Sequence, residues 1–137
     1  MILNLGSINW LAVVVAAVVG IVIGFVYFAP QLMGRRWAAA AGITLPSGGG
    51  APPLMTMVGA VGSTLLMAVA LGVLSSATGA TGLDGAALGF ICWLGFILPW
   101  TWSGTVFEGR PMSYLWITSL QGLISLLVMG AIIGYWR

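Results

Sequence analysis

The segment INWLAVVVAAVVGIVIGFVYFA, from Ile8 to Ala29, decides the fold class of this chain. It contains no charged residue and stops just before Pro30. About 20 consecutive apolar residues are enough for a helix to cross the hydrocarbon core of a bilayer. No basic residue precedes the segment, whereas Arg35 and Arg36 follow it, and this charge pattern is typical of a retained anchor rather than a cleaved signal peptide. The segment therefore predicts a transmembrane helix.

Three further uncharged segments repeat this pattern along the chain. They run from about Leu54 to Leu74, from about Ala86 to Phe107 and from about Met112 to Trp136. A strand of a membrane barrel would alternate polar and apolar residues, so helices are the structure that satisfies the backbone groups of these segments in lipid. We predict an all-α polytopic membrane protein: residues 1–137 form a single membrane domain, with four transmembrane helices in an antiparallel bundle.

The composition supports a membrane protein and excludes several classes of function. The 137 residues are 61% hydrophobic and 4% charged, with a mean hydropathy of +1.14, whereas a soluble domain carries about a quarter charged residues. The sequence has no His and no Lys, and Cys92 is the only cysteine, so ordinary zinc, iron–sulfur and haem sites lack ligands and a Schiff base lacks its amine. With no acidic pair to activate a nucleophile, we expect no cofactor, no metal, no nucleic-acid partner and no enzymatic activity.

The few charged residues predict how the chain is oriented in its membrane. With the amino terminus outside, Arg35, Arg36 and Arg110 fall on the cytoplasmic side and only Arg137 falls outside, as the positive-inside rule favours. We therefore expect both termini outside. Arg35, Arg36 and Trp37 also fit a short interfacial helix whose arginines face lipid phosphate, which makes membrane lipid an expected partner.

Small residues recur at helical spacing in three of the four segments. They are Gly20 and Gly24 in the first, Thr56, Ala60, Thr64, Ala68 and Gly72 in the second, and Gly130 and Gly134 in the fourth. Such residues let helix backbones approach closely, which favours association where lipid removes the hydrophobic driving force. We favour packing within one chain, and an oligomer interface is the alternative.

Polar residues share faces on the third and fourth segments. Near the end of the third segment these residues are Thr101, Thr105 and Glu108, and on the fourth they are Tyr114, Thr118, Gln121 and Ser125. One interpretation is hydrogen bonding between helices, which contributes about 0.6 kcal/mol per pair on average in membranes. The other is a polar cavity between the two segments. We favour the first.

The connection FEGRP, residues 107–111, carries two of the six charged side chains. Gly109 suits a tight turn and Pro111 suits the first turn of a helix, so Glu108 and Arg110 are expected at the membrane interface. There they avoid most of the cost of about 2.5–3.5 kcal/mol that a charge meets at the bilayer centre. We predict a charged hairpin. The alternative is a polar site with Glu108 as a titrating or substrate-facing carboxylate; its candidate residues are Glu108, Arg110, Thr101, Thr105, Gln121 and Tyr114.

Three stretches carry a resemblance to a known family: NWLAVVVAAVVGIVIGFVYFAPQLMGRRWAAAAG, WLGFILPWTWSGTVFEGRP and SLLVMGAIIGYWR. The most specific pieces are Asn9-Trp10, the segment from Pro30 to Trp37, and Phe107-Glu108-Gly109-Arg110. On these residues the chain resembles the bacterial family called domain of unknown function 1761. The resemblance implies a small integral protein of the bacterial inner membrane with four helices, and it implies no activity.

Two functions follow as hypotheses from these patterns. The favoured one is a structural or accessory helix-packing subunit of a homo-oligomer or of a larger membrane complex. The alternative is a minimal oligomeric transporter or channel for a small solute or ion, which would use the polar face of the third and fourth segments.

Overall fold

A computed structural model describes residues 3–29, 31–43 and 54–136. The helices, in chain order, are α1 Trp10–Tyr27, α2 Gly34–Ala41, α3 Leu54–Thr78, α4 Leu83–Cys92, α5 Leu98–Phe107 and α6 Met112–Tyr135, with a 3-10 turn at Leu5–Ser7 and a π-helical segment at Trp93–Ile97. The described ranges contain no strand. Four helices are long and apolar enough to cross a membrane, since α4, the π segment and α5 form one continuous helix over Leu83–Phe107. The predicted class, an all-helical chain with four candidate spans, is confirmed.

The helix ends follow from local sequence, and two of them differ from the prediction by several residues. α1 begins at Trp10 because the side chain of Asn9 accepts a hydrogen bond from the Ala12 amide at 3.2 Å, as an N-cap does. α3 continues beyond the predicted end at Leu74 as far as Thr78. The third crossing starts at Leu83 rather than Ala86, with Asp84 in its first turn, where a negative charge interacts favourably with the positive end of the helix dipole.

The π-helical segment lies directly before Pro99. Proline has no amide hydrogen to donate, and its ring crowds the carbonyl four residues earlier, so an ordinary α-helical register fails at this point. The Leu98 amide instead bonds to the carbonyl of Trp93, five residues back. The crossing therefore passes the proline without breaking.

The helices form an antiparallel bundle in which α6 is central. The amide of the Asn9 side chain donates to the Trp136 carbonyl at 2.9 Å, so the start of α1 lies beside the end of α6. At the other end, the Tyr27 hydroxyl donates to the Ile117 carbonyl at 2.6 Å. α6 packs against α1, α3, α4 and α5, and α2 covers its first turns.

The closest contact in the bundle joins α4 to α6 and consists of glycine against glycine. A Cβ placed on Gly85 would collide with the Gly130 carbonyl, and one on Gly89 would collide with the Leu126 carbonyl. In the reverse direction, a Cβ on Gly134 would collide with the Gly82 carbonyl. Such close approach gives van der Waals contact and Cα–H···O bonds, which drive helix association in lipid.

Burial divides the bundle into two halves. We call the end that contains the start of α1 and the end of α6 the closed half, residues 10–20, 64–78, 83–93 and 122–135, and the remainder of the spans the open half, residues 21–27, 54–63, 94–107 and 112–121. α1 buries five residues up to Gly20 and none after it, and α3 buries none before Ala68. In the open half of the crossing helices the buried residues are Thr105, Leu115 and Ser119. The core therefore lies in the closed half.

Candidate functional site

The first turns of α3 are exposed and carry five small residues among larger apolar ones: Thr56, Gly59, Ala60, Gly62 and Ser63. Residues 54–61 are all exposed. Among the described residues, no atom of another element lies within 4 Å of a Cβ placed on Gly59 or on Gly62. The hydroxyls of Ser63 and Thr64 donate to the Ala60 carbonyl at 3.2 and 2.8 Å, so both are satisfied by their own helix. In its small residues and its low polarity, this face resembles the surfaces that pack tightly elsewhere in the bundle.

The small-residue stripe predicted on α3 is therefore packed along only part of its length. Ala68 is fully buried, and a Cβ on Gly72 would lie 2.7 Å from a Val13 methyl. Thr56 and Ala60, on the same stripe, are exposed. Within the described residues, packing inside the chain accounts for the closed half of the stripe and leaves its other half free.

The glycines predicted on α1 and α6 lie against other helices of the same chain. A Cβ on Gly20 would come within 2.8 Å of the Met129 sulfur and 2.9 Å of the Thr64 methyl, so α1, α3 and α6 meet there. Gly24, one turn further, faces the Gln121 side chain at 3.6 Å. Gly130, like Gly134, is part of the glycine contact with α4.

The polar side chains of α6 lie in the middle of the span and are incompletely paired. Gln121 is the tenth residue of α6, about 15 Å from its start at a rise of about 1.5 Å per residue. Its amide nitrogen donates to the Ser125 hydroxyl at 2.9 Å. The described residues offer no donor to its amide oxygen, and the Thr118 hydroxyl is buried without a partner among them.

Thr101 and Thr105 form a pair along α5. The Thr105 hydroxyl donates to the Thr101 carbonyl at 2.7 Å, and Thr105 is only 1% exposed. Among the described residues, no hydrogen bond joins either threonine to Gln121 or to the Glu108 side chain.

The FEGRP connection forms a compact charged turn. Gly109 has a φ of 68°, a left-handed conformation that glycine adopts without strain. The Arg110 Nε atom lies 2.6 Å from the Glu108 Oε2 atom, and the guanidinium lies over the Tyr114 ring, 4.6 Å from its centroid. Arg110 also donates from Nη1 to the Ala41 carbonyl at 3.5 Å, which links the turn to the end of α2.

The six residues of the predicted polar site thus occur as three separate groups. Glu108, Arg110 and Tyr114 are together at the end of the bundle, Thr101 and Thr105 are on α5, and Gln121 is paired with Ser125 in the middle of α6. Thr105 and Gln121 bond along their own helices, whereas Arg110 pairs with Glu108 within the turn and also bonds to the end of α2.

α2 places the predicted interfacial residues at the open end of the bundle. Arg35 and Arg36 are exposed. The ring of Trp37 packs edge-on against Phe28, with 5.5 Å between the ring centroids. Ala38 on the inner face of the helix is 3% exposed. The helix therefore presents its arginines outward and its apolar side to the bundle.

An apolar cavity of about 170 Å³ separates α3 from the π segment. It is lined by Met67, Ala70, Leu71, Leu74, Cys92, Phe96, Ile97 and Leu126. This lining has almost no polar surface, so it suits lipid chains or apolar side chains and offers no ligands to an ion. Within the described residues, no group of three or more His, Cys, Asp or Glu side chains could hold a metal.

Two contacts were not predicted from the sequence. Gly85 and Gly89 form a GxxxG pair that was detectable as such, but the third span was expected to begin at Ala86, which left Gly85 outside it. Trp93 is 9% exposed and donates from its indole nitrogen to the Ser119 carbonyl at 2.7 Å. No sequence pattern indicated this bond, because it depends on the turn of the π segment.

Four apolar helices, a core confined to one half and charges gathered at the ends define a small polytopic membrane protein. The family model described as Protein of unknown function (DUF1761) matches residues 11–134. The chain belongs to this family. No curated protein and no solved structure matches the chain.

Proposed function

We propose that the protein is a helix-packing subunit whose open half receives a transmembrane helix of another polypeptide chain. That chain is either a second copy or a member of a larger membrane complex. The site of contact is the exposed small-residue face of α3, residues 54–63, together with the neighbouring polar side chains of α6.

This proposal rests on a contrast between glycines that pack against another helix and glycines that do not. In the closed half, a Cβ on Gly72, Gly85 or Gly130 would collide with another helix, whereas no other described element lies within 4 Å of a Cβ on Gly59 or Gly62. In lipid, small residues stabilise a structure only when a second backbone lies against them. Glycine also lowers helix stability by about 1 kcal/mol relative to alanine, a cost that a partner helix would offset.

The unpaired polar atoms of α6 give independent support. The Gln121 amide oxygen and the Thr118 hydroxyl lack donors and acceptors among the described residues. An unsatisfied polar group in hydrocarbon is costly. A donor on an incoming helix would satisfy the Gln121 amide oxygen and would orient that helix.

The alternative function, a minimal transporter or channel, has less support. It requires a connected polar path, whereas Thr101 and Thr105, the turn of Glu108 and Arg110, and the Gln121–Ser125 pair are separate groups. The cavity of about 170 Å³ is lined by apolar side chains.

We further propose that the membrane is the bacterial inner membrane and that both termini lie outside the cytoplasm. Arg35, Arg36 and Arg110 lie at the same end of the bundle, because Arg110 contacts the end of α2. Asp84 lies at the other end, next to the glycine contact with the end of α6. The positive-inside rule favours the arginine end on the cytoplasmic side.

The experiment is native mass spectrometry of the full chain, tagged at its own locus and extracted into nanodiscs. We expect the wild-type chain to carry an additional chain at fixed stoichiometry. The double variant Gly59→Leu/Gly62→Leu should reduce the associated fraction roughly tenfold, because the leucines fill the space of the incoming backbone. The matched control is Val14→Leu/Val18→Leu, which enlarges two exposed residues of α1 and should leave association unchanged.

The mass of the associated chain distinguishes a second copy from a different subunit. A wild-type chain that is always monomeric would contradict the proposal, as would equal association of the two double variants. If the chain forms a homo-oligomer and Gly59→Leu/Gly62→Leu still associates, the contact surface on α3 is wrong. That result would favour the transporter alternative, with Glu108 as the next residue to test.

A further inference from the structure

Two arginines at the open end have no carboxylate partner in the chain. Asp84 and Glu108 are the only acidic side chains in the sequence. Arg110 holds Glu108, with 2.6 Å between Nε and Oε2. Asp84 lies in the first turn of α4, at the opposite end of the bundle. No acidic side chain of this chain is therefore left to neutralise Arg35 and Arg36.

The short helix that carries these arginines is held firmly against the bundle. A Cβ on Gly34 would collide with the Phe28 carbonyl, so the start of α2 lies directly on the end of α1. Trp37 packs edge-on against Phe28. At the other end of α2, Arg110 donates to the Ala41 carbonyl. These contacts fix α2 at both ends, so its arginines are presented from a rigid support.

α2 lies at the end of the bundle where α1 ends and α6 begins, and we expect lipid headgroups at that end. It follows the end of α1 by a short connection and packs against α6, whose span begins at Met112. Arg35 and Arg36 are consecutive residues of this helix, and both side chains are exposed. A guanidinium donates two parallel hydrogen bonds to a phosphate, and it is less strongly hydrated than an ammonium group.

We propose that Arg35 and Arg36 form a binding site for the phosphate of an anionic phospholipid headgroup, such as that of phosphatidylglycerol. A zwitterionic headgroup places its own cation beside the phosphate and competes with the arginines, so the site prefers a headgroup with net negative charge. Each basic side chain near an anionic membrane surface contributes about a fivefold preference, and two together give about 25-fold. This site is independent of the helix contact on α3.

The test measures which lipids stay with the protein. The full chain is placed in nanodiscs of equimolar phosphatidylglycerol and phosphatidylcholine, and native mass spectrometry counts the lipids that remain bound when the disc is removed. We expect the wild-type chain to retain phosphatidylglycerol at least about tenfold over phosphatidylcholine. Arg35→Gln/Arg36→Gln should abolish the preference, while Arg35→Lys/Arg36→Lys should keep most of it, because the charge is preserved.

The controls separate this site from general charge effects. Asp84→Asn makes the net charge more positive at the opposite end of the bundle and should leave the lipid ratio unchanged. Should the glutamine variant fail to fold, the single variant Arg36→Gln and the wild-type preference at increasing ammonium acetate replace it, and both should reduce the preference.

Three results would overturn the proposal. The first is an unchanged lipid ratio in the glutamine variant, and the second is a preference that does not respond to salt. The third is displacement of bound phosphatidylglycerol by millimolar inorganic phosphate, which would assign the arginines to a free anion instead of a lipid.

Discussion

In the closed half of the bundle, glycines bring α4 and α6 so close that their backbones touch, whereas in the open half the glycines of α3 contact no other helix that the structure describes. The two regions have the same kind of sequence. Gly85 and Gly89 on α4 are spaced like the small residues Thr56 and Ala60 on α3, at i and i+4. What differs is the presence of a matching helix.

A small-residue stripe therefore indicates a helix contact, but it does not indicate which chain supplies the other helix. Lipid is as apolar as the side chains, so no hydrophobic driving force closes the open half by itself. Helices associate there only where a second backbone fits. Packing within the chain therefore lies in the closed half, and we propose that the open half is a contact surface for another chain.

The division into a closed and an open half is tested by placing the same bulky side chain in each half. Gly130→Val should lower the free energy of unfolding by about 3 kcal/mol, because its Cβ would collide with the Gly85 backbone, which cannot move aside as a flexible side chain can. Gly59→Val, the matched variant, should change the same free energy by less than about 1 kcal/mol. Unfolding of the monomer by SDS in mixed micelles measures both.

Equal losses in these two variants would contradict the division into halves. In that case α3 would be packed within the monomer along its whole length, and the exposed face of residues 54–63 would not exist in the membrane.

A second prediction concerns tryptophan in the two halves. Trp93→Phe should lower the free energy of unfolding by about 1–1.5 kcal/mol, because it removes the indole hydrogen bond to the Ser119 carbonyl together with buried volume. Trp100 is 82% exposed, so Trp100→Phe should change it by less than about 0.5 kcal/mol. Thermal unfolding of the two variants in one detergent compares them, and a larger loss for Trp100→Phe would reverse the assignment of buried and lipid-facing positions.

A third prediction concerns Asn9, which caps α1 and bonds to the end of α6. Asn9→Ala should cost about 1 kcal/mol, because it removes both the cap on α1 and the bond to the Trp136 carbonyl. Asn9→Ser keeps a capping oxygen but cannot reach Trp136 in the same way, so it should lose only part of that stability. If serine and alanine were equally destabilising, the cap would contribute nothing, and the bond to α6 would account for the whole effect.

The smallest effect is expected at the charged turn. Glu108→Gln should change the free energy of unfolding by no more than about 0.5 kcal/mol, because the Glu108 side chain is 57% exposed and solvent screens its ion pair with Arg110. Cellular protein level and growth measure the consequence in vivo, with Arg110→Lys as the control that keeps the charge. A proton- or substrate-linked defect at an unchanged protein level would instead favour Glu108 as a working carboxylate.

The sequence was sufficient for the fold class because hydrophobic length is a strong and local signal. All four spans were predicted within a few residues of the observed helices, and the largest error at a helix start was at Leu83. Because the predicted span began at Ala86, Gly85 was left out of it. The glycine contact between α4 and α6 was therefore predicted only for Gly130 and Gly134 of α6. A span boundary depends on where lipid ends and on local capping, and residue type alone specifies neither.

The candidate site was less predictable because polar residues on one helical face need not meet residues on another helix. The polar faces of the third and fourth segments suggested hydrogen bonds or a cavity between them, yet Thr105 is bonded along α5 and Gln121 along α6. The distinction between the halves was also beyond sequence reasoning, since it depends on how far α3 diverges from α1 beyond Gly20. Helix divergence is a property of the whole bundle.

The most direct test of the account is photo-crosslinking from the open face of α3 in native membranes. A benzophenone amino acid is placed at Ser63, on the open face, or at Val14, which is exposed on the closed half of α1. The account predicts a protein adduct of defined mass from position 63 and only lipid adducts from position 14. Lipid adducts alone from both positions would show that the open half faces the bilayer. This result would contradict the proposal that the open half receives a transmembrane helix of another chain.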